Sequence, residues 1–167
     1  MKHKTKFSPP PSPPPSRGRV WEGVKKGNPY TIKVLAFLCN WAPWSCYTGM
    51  GDLEMPIPGE VNVIRVMCAS RVNTALLLKA FEKGADGVLI IGCRTDNCQN
   101  GTGPEMALKN IDHTCEILNL LGLKKERLQF KYYLAHESEK LSSDLHEFVE
   151  RIAGLGKSPI VGDHGNV

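Results

Sequence analysis

From residue 31 onward the apolar positions of this chain follow two different periods. Thr31-Ile-Lys-Val-Leu-Ala-Phe-Leu is a short, nearly continuous apolar run, as a strand buried on both faces requires. Val61-Asn-Val-Ile-Arg-Val-Met and Gly87-Val-Leu-Ile-Ile-Gly predict a second and a third strand. Gln129-Phe-Lys-Tyr-Tyr-Leu predicts a fourth, and its stronger polar alternation suits a sheet edge. The intervals carry helical spacing. Asn73 to Lys83 brings Leu76, Leu77, Ala80 and Phe81 to one side, with Gly84 placed to end it. Pro104 opens a helix to Leu121 whose apolar stripe is Ala107/Leu108, Ile111, Cys115 and Leu118, with Leu121 or Gly122 at its end. A last helix, Glu139 to Leu155, aligns Leu141, Leu145, Phe148, Ile152 and Leu155. The stretch from Trp41 to Pro58 reads as a long loop. The order predicts a small single α/β domain with a mainly parallel sheet of about four strands.

Composition changes the picture at the two ends. Six of the 12 prolines fall between Pro9 and Pro15, where an extended polyproline chain has no side chains to build a core. Residues 1–28 are therefore expected to be a disordered, Pro-rich basic arm, residues 29–157 the folded domain, and residues 158–167 a loose tail. The net charge of +4 belongs to the arm. Residues 1–26 hold seven Lys/Arg and one acid, whereas residues 27–167 hold fourteen Lys/Arg and sixteen acids. A nucleic-acid binder would carry its basic stripe on the fold, so no nucleic-acid partner is expected.

A mean hydropathy of −0.24 and the lack of an apolar run near the ~18 residues a span needs predict no membrane insertion. Met1-Lys-His-Lys-Thr-Lys-Phe is followed by proline and serine where a signal peptide would be apolar, which points to a cytoplasmic protein. Gly49-Met-Gly51 lacks the third glycine of a dinucleotide fingerprint, and there is no Walker loop. No histidine has a nucleophile partner near it in sequence. Nothing marks an enzyme acting alone.

The chemistry concentrates in the cysteines. Cys39, Cys68 and Cys93 each fall at the carboxyl end of a predicted strand, which in a parallel sheet is one rim, the edge where open α/β sheets place ligands. Cys46 and Cys98 lie in stretches that leave the same rim. Cysteine is also a small core hydrophobe, and Cys115, on its helix stripe, fits that account. Structural disulfides do not suit a chain without a secretion signal. No Cys-x-x-Cys occurs, so the thioredoxin motif is absent. Metal binding and thiol redox chemistry remain. The spacings Cys39-x6-Cys46, lone Cys68 and Cys93-x4-Cys98 fit zinc knuckles poorly. An iron–sulfur cluster tolerates irregular spacing because the fold positions its thiolates. Gly49, Gly51, Gly92, Gly101 and Gly103 would let backbone N–H groups approach such an anion, Arg65, Arg71 and Arg94 lie beside the cysteine segments, and Trp41, Trp44 and Tyr47 could shield it or meet a partner.

The blocks Phe37-Leu-Cys-Asn-Trp, Cys46-Tyr-Thr-Gly, Ile64-Arg-Val-Met-Cys68-Ala-Ser-Arg-Val and Lys79-Ala-Phe-Glu-Lys-Gly-Ala-Asp-Gly-Val-Leu-Ile-Ile-Gly-Cys93, closed by Cys98, are familiar together. Over about residues 31–152 the chain resembles the delta (iron–sulfur) subunit of methyl-viologen-reducing nickel–iron hydrogenase. The resemblance implies a 2Fe–2S protein that passes electrons between a hydrogenase, a formate dehydrogenase or another donor and a flavoprotein of the heterodisulfide reductase A type. It implies ligands drawn from Cys39, Cys46, Cys68, Cys93 and Cys98, four of the five. The family's first pair is usually Cys-Asn-Trp-Cys. Here Ala42-Pro43-Trp44-Ser45 intervenes, and Cys46 is the nearest candidate for the second position. The alternative from the residues alone is a zinc-stabilised, non-redox adaptor within a larger complex.

Overall fold

The computed structural model describes residues 32–160. The expected arm at 1–28 and the part of the expected tail from 161 onward lie outside them. Four strands form one sheet: β1 (Val34–Cys39), β2 (Val61–Val66), β3 (Gly87–Gly92) and β4 (Leu128–Tyr132). Every pairing is parallel, in the order β2-β1-β3-β4. β1 and β3 occupy the centre, and β3 is buried at every position, which is why their sequences are continuously apolar. β4 is an edge strand, as its alternation suggests.

Helices cover both faces. α2 (Thr74–Glu82) and α3 (Gly103–Leu120) pack on one side, where Phe37, Leu77, Phe81, Ile90, Ile111 and Leu118 form a core. α1 (Ala42–Asp52) and α4 (Ser138–Leu155) pack on the other, around Leu38, Met50, Ile91, Tyr133, Leu145 and Phe148. Three helices lie where their periodicity places them. α2 also carries the cap its sequence offers, since Asn73 Oδ1 accepts the Leu76 N–H at 2.9 Å. The stripes shift slightly: Leu76, Leu108 and Leu121 are exposed, and Thr114 takes a buried place on α3 that apolarity alone would not assign.

α1 corrects the expectation of a loop. Its sequence, Ala-Pro-Trp-Ser-Cys-Tyr-Thr-Gly-Met-Gly-Asp, contains two glycines and several weak helix formers, so propensity gives no helical signal. Tertiary packing supplies it. Pro43 sits in the first turn, where its missing N–H costs nothing, and Pro43, Cys46 and Met50 are buried one turn apart. Gly49 lets α4 come close, because a methyl group there would stand 2.7 Å from Ser138 Oγ. Ser138 Oγ in turn donates to the Cys46 carbonyl at 2.9 Å.

Below the sheet, at the amino ends of the strands, Arg127 is buried and donates to the carbonyls of Asp86, Gly156, Leu155 and Lys157. The Asp86 carboxylate accepts the N–H groups of Lys33 and Ser158. The chain thus stays packed beyond α4, with Ser158 buried and Ile160 against the α2/α3 core.

Candidate metal centre

The order β2-β1-β3-β4 makes the chain leave β1 toward one edge and return past it to β3. The crevice outside the carboxyl ends of β1 and β3 is therefore the topological switch point of this sheet. Cys39 is the last residue of β1 and Cys93 the first after β3, so the two flank that crevice. Their sulfurs are 3.7 Å apart. Two thiolates sharing one tetrahedral metal, with bonds of about 2.3 Å, lie about 3.8 Å apart. Both residues are buried and free.

The second pair forms around α3. Cys68 follows β2, and Cys98 follows the short turn Thr95–Asn97. A methyl group at Gly103, the first residue of α3, would stand 2.7 Å from Cys68 Sγ and 2.9 Å from Cys98 Sγ. The absent side chain is the space the two sulfurs share. Cys98 also lies close enough to Cys93 for its charge to act there.

Each pair meets the start of a helix. The Trp41 cap of α1 and the Thr102 cap of α3 make no side-chain hydrogen bond, which leaves their first N–H groups for other acceptors. The electrostatics follow. The Cys39 thiol is lowered to about 6, first by the Cys93 S–H that bonds to it, with the backbone N–H groups of Trp41, Ala69 and Asn40 assisting against burial. Cys93 holds the shared proton and is pushed far up, by that same bond and then by burial. One negative charge is favoured at this pair even without a cation, as the positive end of α1 would make it.

Cys46 stands apart. It lies inside α1 rather than in a loop, fully buried against Met50, Tyr133 and Leu141, and burial raises its thiol to about 11. Cys115 packs half-buried against the α2/α3 core, with its thiol also raised by burial. Among the described residues no three Cys, His, Asp or Glu side chains close around one ion-sized point. Cys39 and Cys93 lie side by side and Cys68 and Cys98 both face Gly103, so these four thiols are the ones the fold brings to the rim as possible ligands.

The surroundings differ in part from the sequence expectation. Arg65 stacks over the Trp44 ring at 4.5 Å and Arg94 pairs with Asp96 at 2.9 Å. Trp44, Tyr47 and Met55 pack onto the domain's own core, whereas Trp41, Leu53 and Ile57 remain exposed. Of the five glycines singled out, Gly103 is the one that stands against sulfur. Sequence reading missed a cleft of about 800 Å³ that reaches Cys93 and is lined by Pro104 and Leu108 of α3, Phe130 and Tyr132 of β4, and Lys140 and Asp144 of α4. No local motif announces it, because it exists only where the sheet ends between two helical layers. No helix of the described residues is long and apolar enough to cross a membrane.

Residues 34–156 match the family model described as methyl-viologen-reducing hydrogenase, delta subunit. The chain is 38% identical over 123 residues to the A subunit of the ferredoxin/F420H2-dependent CoB-CoM heterodisulfide reductase from Methanosarcina acetivorans, covering 74% of this chain and 16% of that one. The A subunit of the Methanosarcina mazei ferredoxin:CoB-CoM heterodisulfide reductase is 39% identical over the same shares. This chain therefore spans about a sixth of the length of those two relatives. It is 30% identical over 135 residues to the iron-sulfur D subunit of the vhc F420-non-reducing hydrogenase of Methanococcus voltae, covering 81% of this chain and 94% of that relative. The four-stranded parallel domain with its paired thiols belongs to the family of methyl-viologen-reducing hydrogenase delta subunits.

Proposed function

We propose that this protein is a 2Fe–2S electron-transfer subunit, with Cys39 and Cys93 holding one iron and Cys68 and Cys98 the other. The observation that carries this reading is that the Cys39 and Cys93 sulfurs stand 3.7 Å apart while those of Cys68 and Cys98 both face Gly103, each group against the start of a helix. When bound, the cluster supplies reversible one-electron chemistry. The chain's residues supply the rest. The N–H groups of Asn40, Trp41, Ala42 and Ala69 offset thiolate charge, and Gly103 leaves room for the second pair. Burial of Cys39 and Cys93 keeps water from the inner sulfurs, and Cys98, only half-buried, is the side nearer solvent. Cys46 has no part in the ligand set.

The partners follow from the relatives. A domain that occurs within the A subunit of heterodisulfide reductases, and also as the D subunit of hydrogenases, suits a carrier between two larger proteins. Its donor in this reading is a hydrogenase or formate dehydrogenase, and its acceptor a flavoprotein of the heterodisulfide reductase A type. The protein works inside a larger complex and catalyses nothing by itself. The test is anaerobic purification of the full chain. Iron and acid-labile sulfide in equal amounts, with a visible absorption that dithionite bleaches, are expected. Cys68→Ser and Cys93→Ser should lose most of both, while Cys46→Ser keeps them. A colourless protein carrying zinc would replace this reading with that of a structural adaptor.

A further inference from the structure

We infer that Cys39 and Cys93 form a redox-modification site of the iron-free chain: a dithiol that a low-molecular-weight disulfide oxidises through the adjacent cleft, closing a Cys39–Cys93 bridge that bars cofactor loading. The inference rests on the proposed function only in its last clause. The bridge itself depends on geometry alone.

Strand register brings the two backbones within reach. Leu38 pairs with Ile91 across β1 and β3, so Cys39 falls beside Gly92, and Cys93 lies one residue further on. With strands about 4.8 Å apart and about 3.3 Å of rise per residue, the two Cα atoms are about 5.8 Å apart. Disulfides bridge Cα separations of about 4.4–6.8 Å. The sulfurs already stand 3.7 Å apart, so closing the bond needs side-chain rotation rather than movement of the sheet. Cys68 and Cys98 meet at Gly103 on separate loops rather than on adjacent strands, and the remaining two thiols lie apart. Cys46 is sealed between α1 and α4, and Cys115 lies against the core on the opposite face.

The cleft sets the order of events. Both residues are buried, but Cys93 lines the opening of about 800 Å³ and Cys39 does not. Cys93 is therefore the thiol that a small disulfide, RSSR, meets first. Cys93 passes its proton along the hydrogen bond to Cys39 and attacks one sulfur of RSSR, forming a Cys93–S–S–R mixed disulfide and expelling RS⁻. Cys39 then gives up that proton and attacks the Cys93 sulfur, forming the bridge and expelling a second RS⁻. The proton leaves with one of the two as RSH, and the other departs as RS⁻. The protein is oxidised by two electrons and RSSR is reduced by two. A bridge here occupies one of the two sulfur pairs, so the site cannot accept its cofactor until a thiol reductant reopens it.

The test uses the full chain, freed of iron by chelation under reductant and then exchanged into oxidised glutathione without oxygen. Peptide mapping after alkylation should show a Cys39–Cys93 linked peptide as the dominant product, lost on adding dithiothreitol. Uptake of ferrous iron and sulfide should fall at least tenfold in the bridged protein and recover on reduction. In Cys39→Ser a glutathione adduct should accumulate at Cys93, whereas in Cys93→Ser no adduct should form at Cys39. Dominant linkage of Cys68 to Cys98, an adduct on Cys39 but not Cys93, or no linkage in the wild-type chain would overturn the inference. The two readings also separate. A bridge that forms in a chain unable to take up iron when reduced supports the dithiol and removes the cluster.

Discussion

Gly103 is the residue on which the second sulfur pair depends, and its reason is steric. It begins α3, where helix propensity alone favours alanine over glycine by up to ~1 kcal/mol. Gly103→Ala would gain that propensity but crowd two sulfurs in a buried place, so the melting temperature should stay level or fall modestly. The new methyl group would meet both Cys68 and Cys98 sulfurs below 3 Å, so iron per purified chain should drop at least twofold. Full iron in a stable Gly103→Ala protein would mean that the pair can rearrange freely. Cys46 should behave in the opposite way. It is fully buried, but the Ser138 side chain and the Glu137 backbone stand beside its sulfur, so Cys46→Ser should cost no more than about 1 kcal/mol in chemical denaturation, with iron content untouched.

At the scale of elements, α1 exists because of what it packs against. Met50 is fully buried, and Met50→Ala should cost about 2–5 kcal/mol, measured by urea unfolding of the full chain. If α1 were held by its own propensity instead, the loss would be nearer a few tenths. The β4/α4 connection has an electrostatic tie. The buried Tyr133 hydroxyl donates to the Asp144 carboxylate, which Lys131 Nζ also approaches at 2.7 Å. Burial opposes ionisation of Asp144, but the Lys131 and Tyr133 hydrogen bonds outweigh it and hold its pKa below the ordinary carboxylate value. A carboxylate depressed in the folded state stabilises above the unfolded pKa, and that stability is lost as pH falls through the folded one. Asp144→Asn should thus flatten the loss of stability below about pH 4, relative to the wild-type chain, in denaturation at stepped pH. An unchanged acid limb would show that Asp144 carries no such linkage.

Across the whole molecule, the rim and the base of the sheet divide the work. The carboxyl rim collects thiols and helix starts, while the base is fastened by Arg127. Its guanidinium reaches four carbonyls on the entrance to β3 and the exit of α4, contacts separated by up to 41 residues. Arg127→Ala would strand those buried acceptors and should cost about 3 kcal/mol, with the proposed cluster's iron content unchanged per folded chain. Loss of iron at unchanged stability would place Arg127 in the function of the rim instead. The base is remote from the cysteines, so this outcome would require coupling along β3.

Periodicity in this chain determined the four strands, three of the four helices, and the parallel order of strand and helix. These signals are local: a buried parallel strand must be continuously apolar, and a helix on a sheet must repeat its apolar positions. It also determined that Cys39, Cys68 and Cys93 follow strand ends, since position in sequence and direction in a parallel sheet are the same information. The delta-subunit resemblance was legible in the same blocks. Only the tertiary structure decided α1, because a segment rich in weak helix formers becomes helical where Pro43, Cys46 and Met50 find a surface to cover. It alone decided that Cys46 turns toward α4 while Cys98 joins Cys68 at Gly103, because sequence spacing says nothing about which face a residue takes once its segment coils. The pairing of sulfurs, the cleft beside Cys93 and the Arg127 fastening are likewise contacts between distant segments. Such contacts are set by how helices and strands pack, which no local pattern encodes.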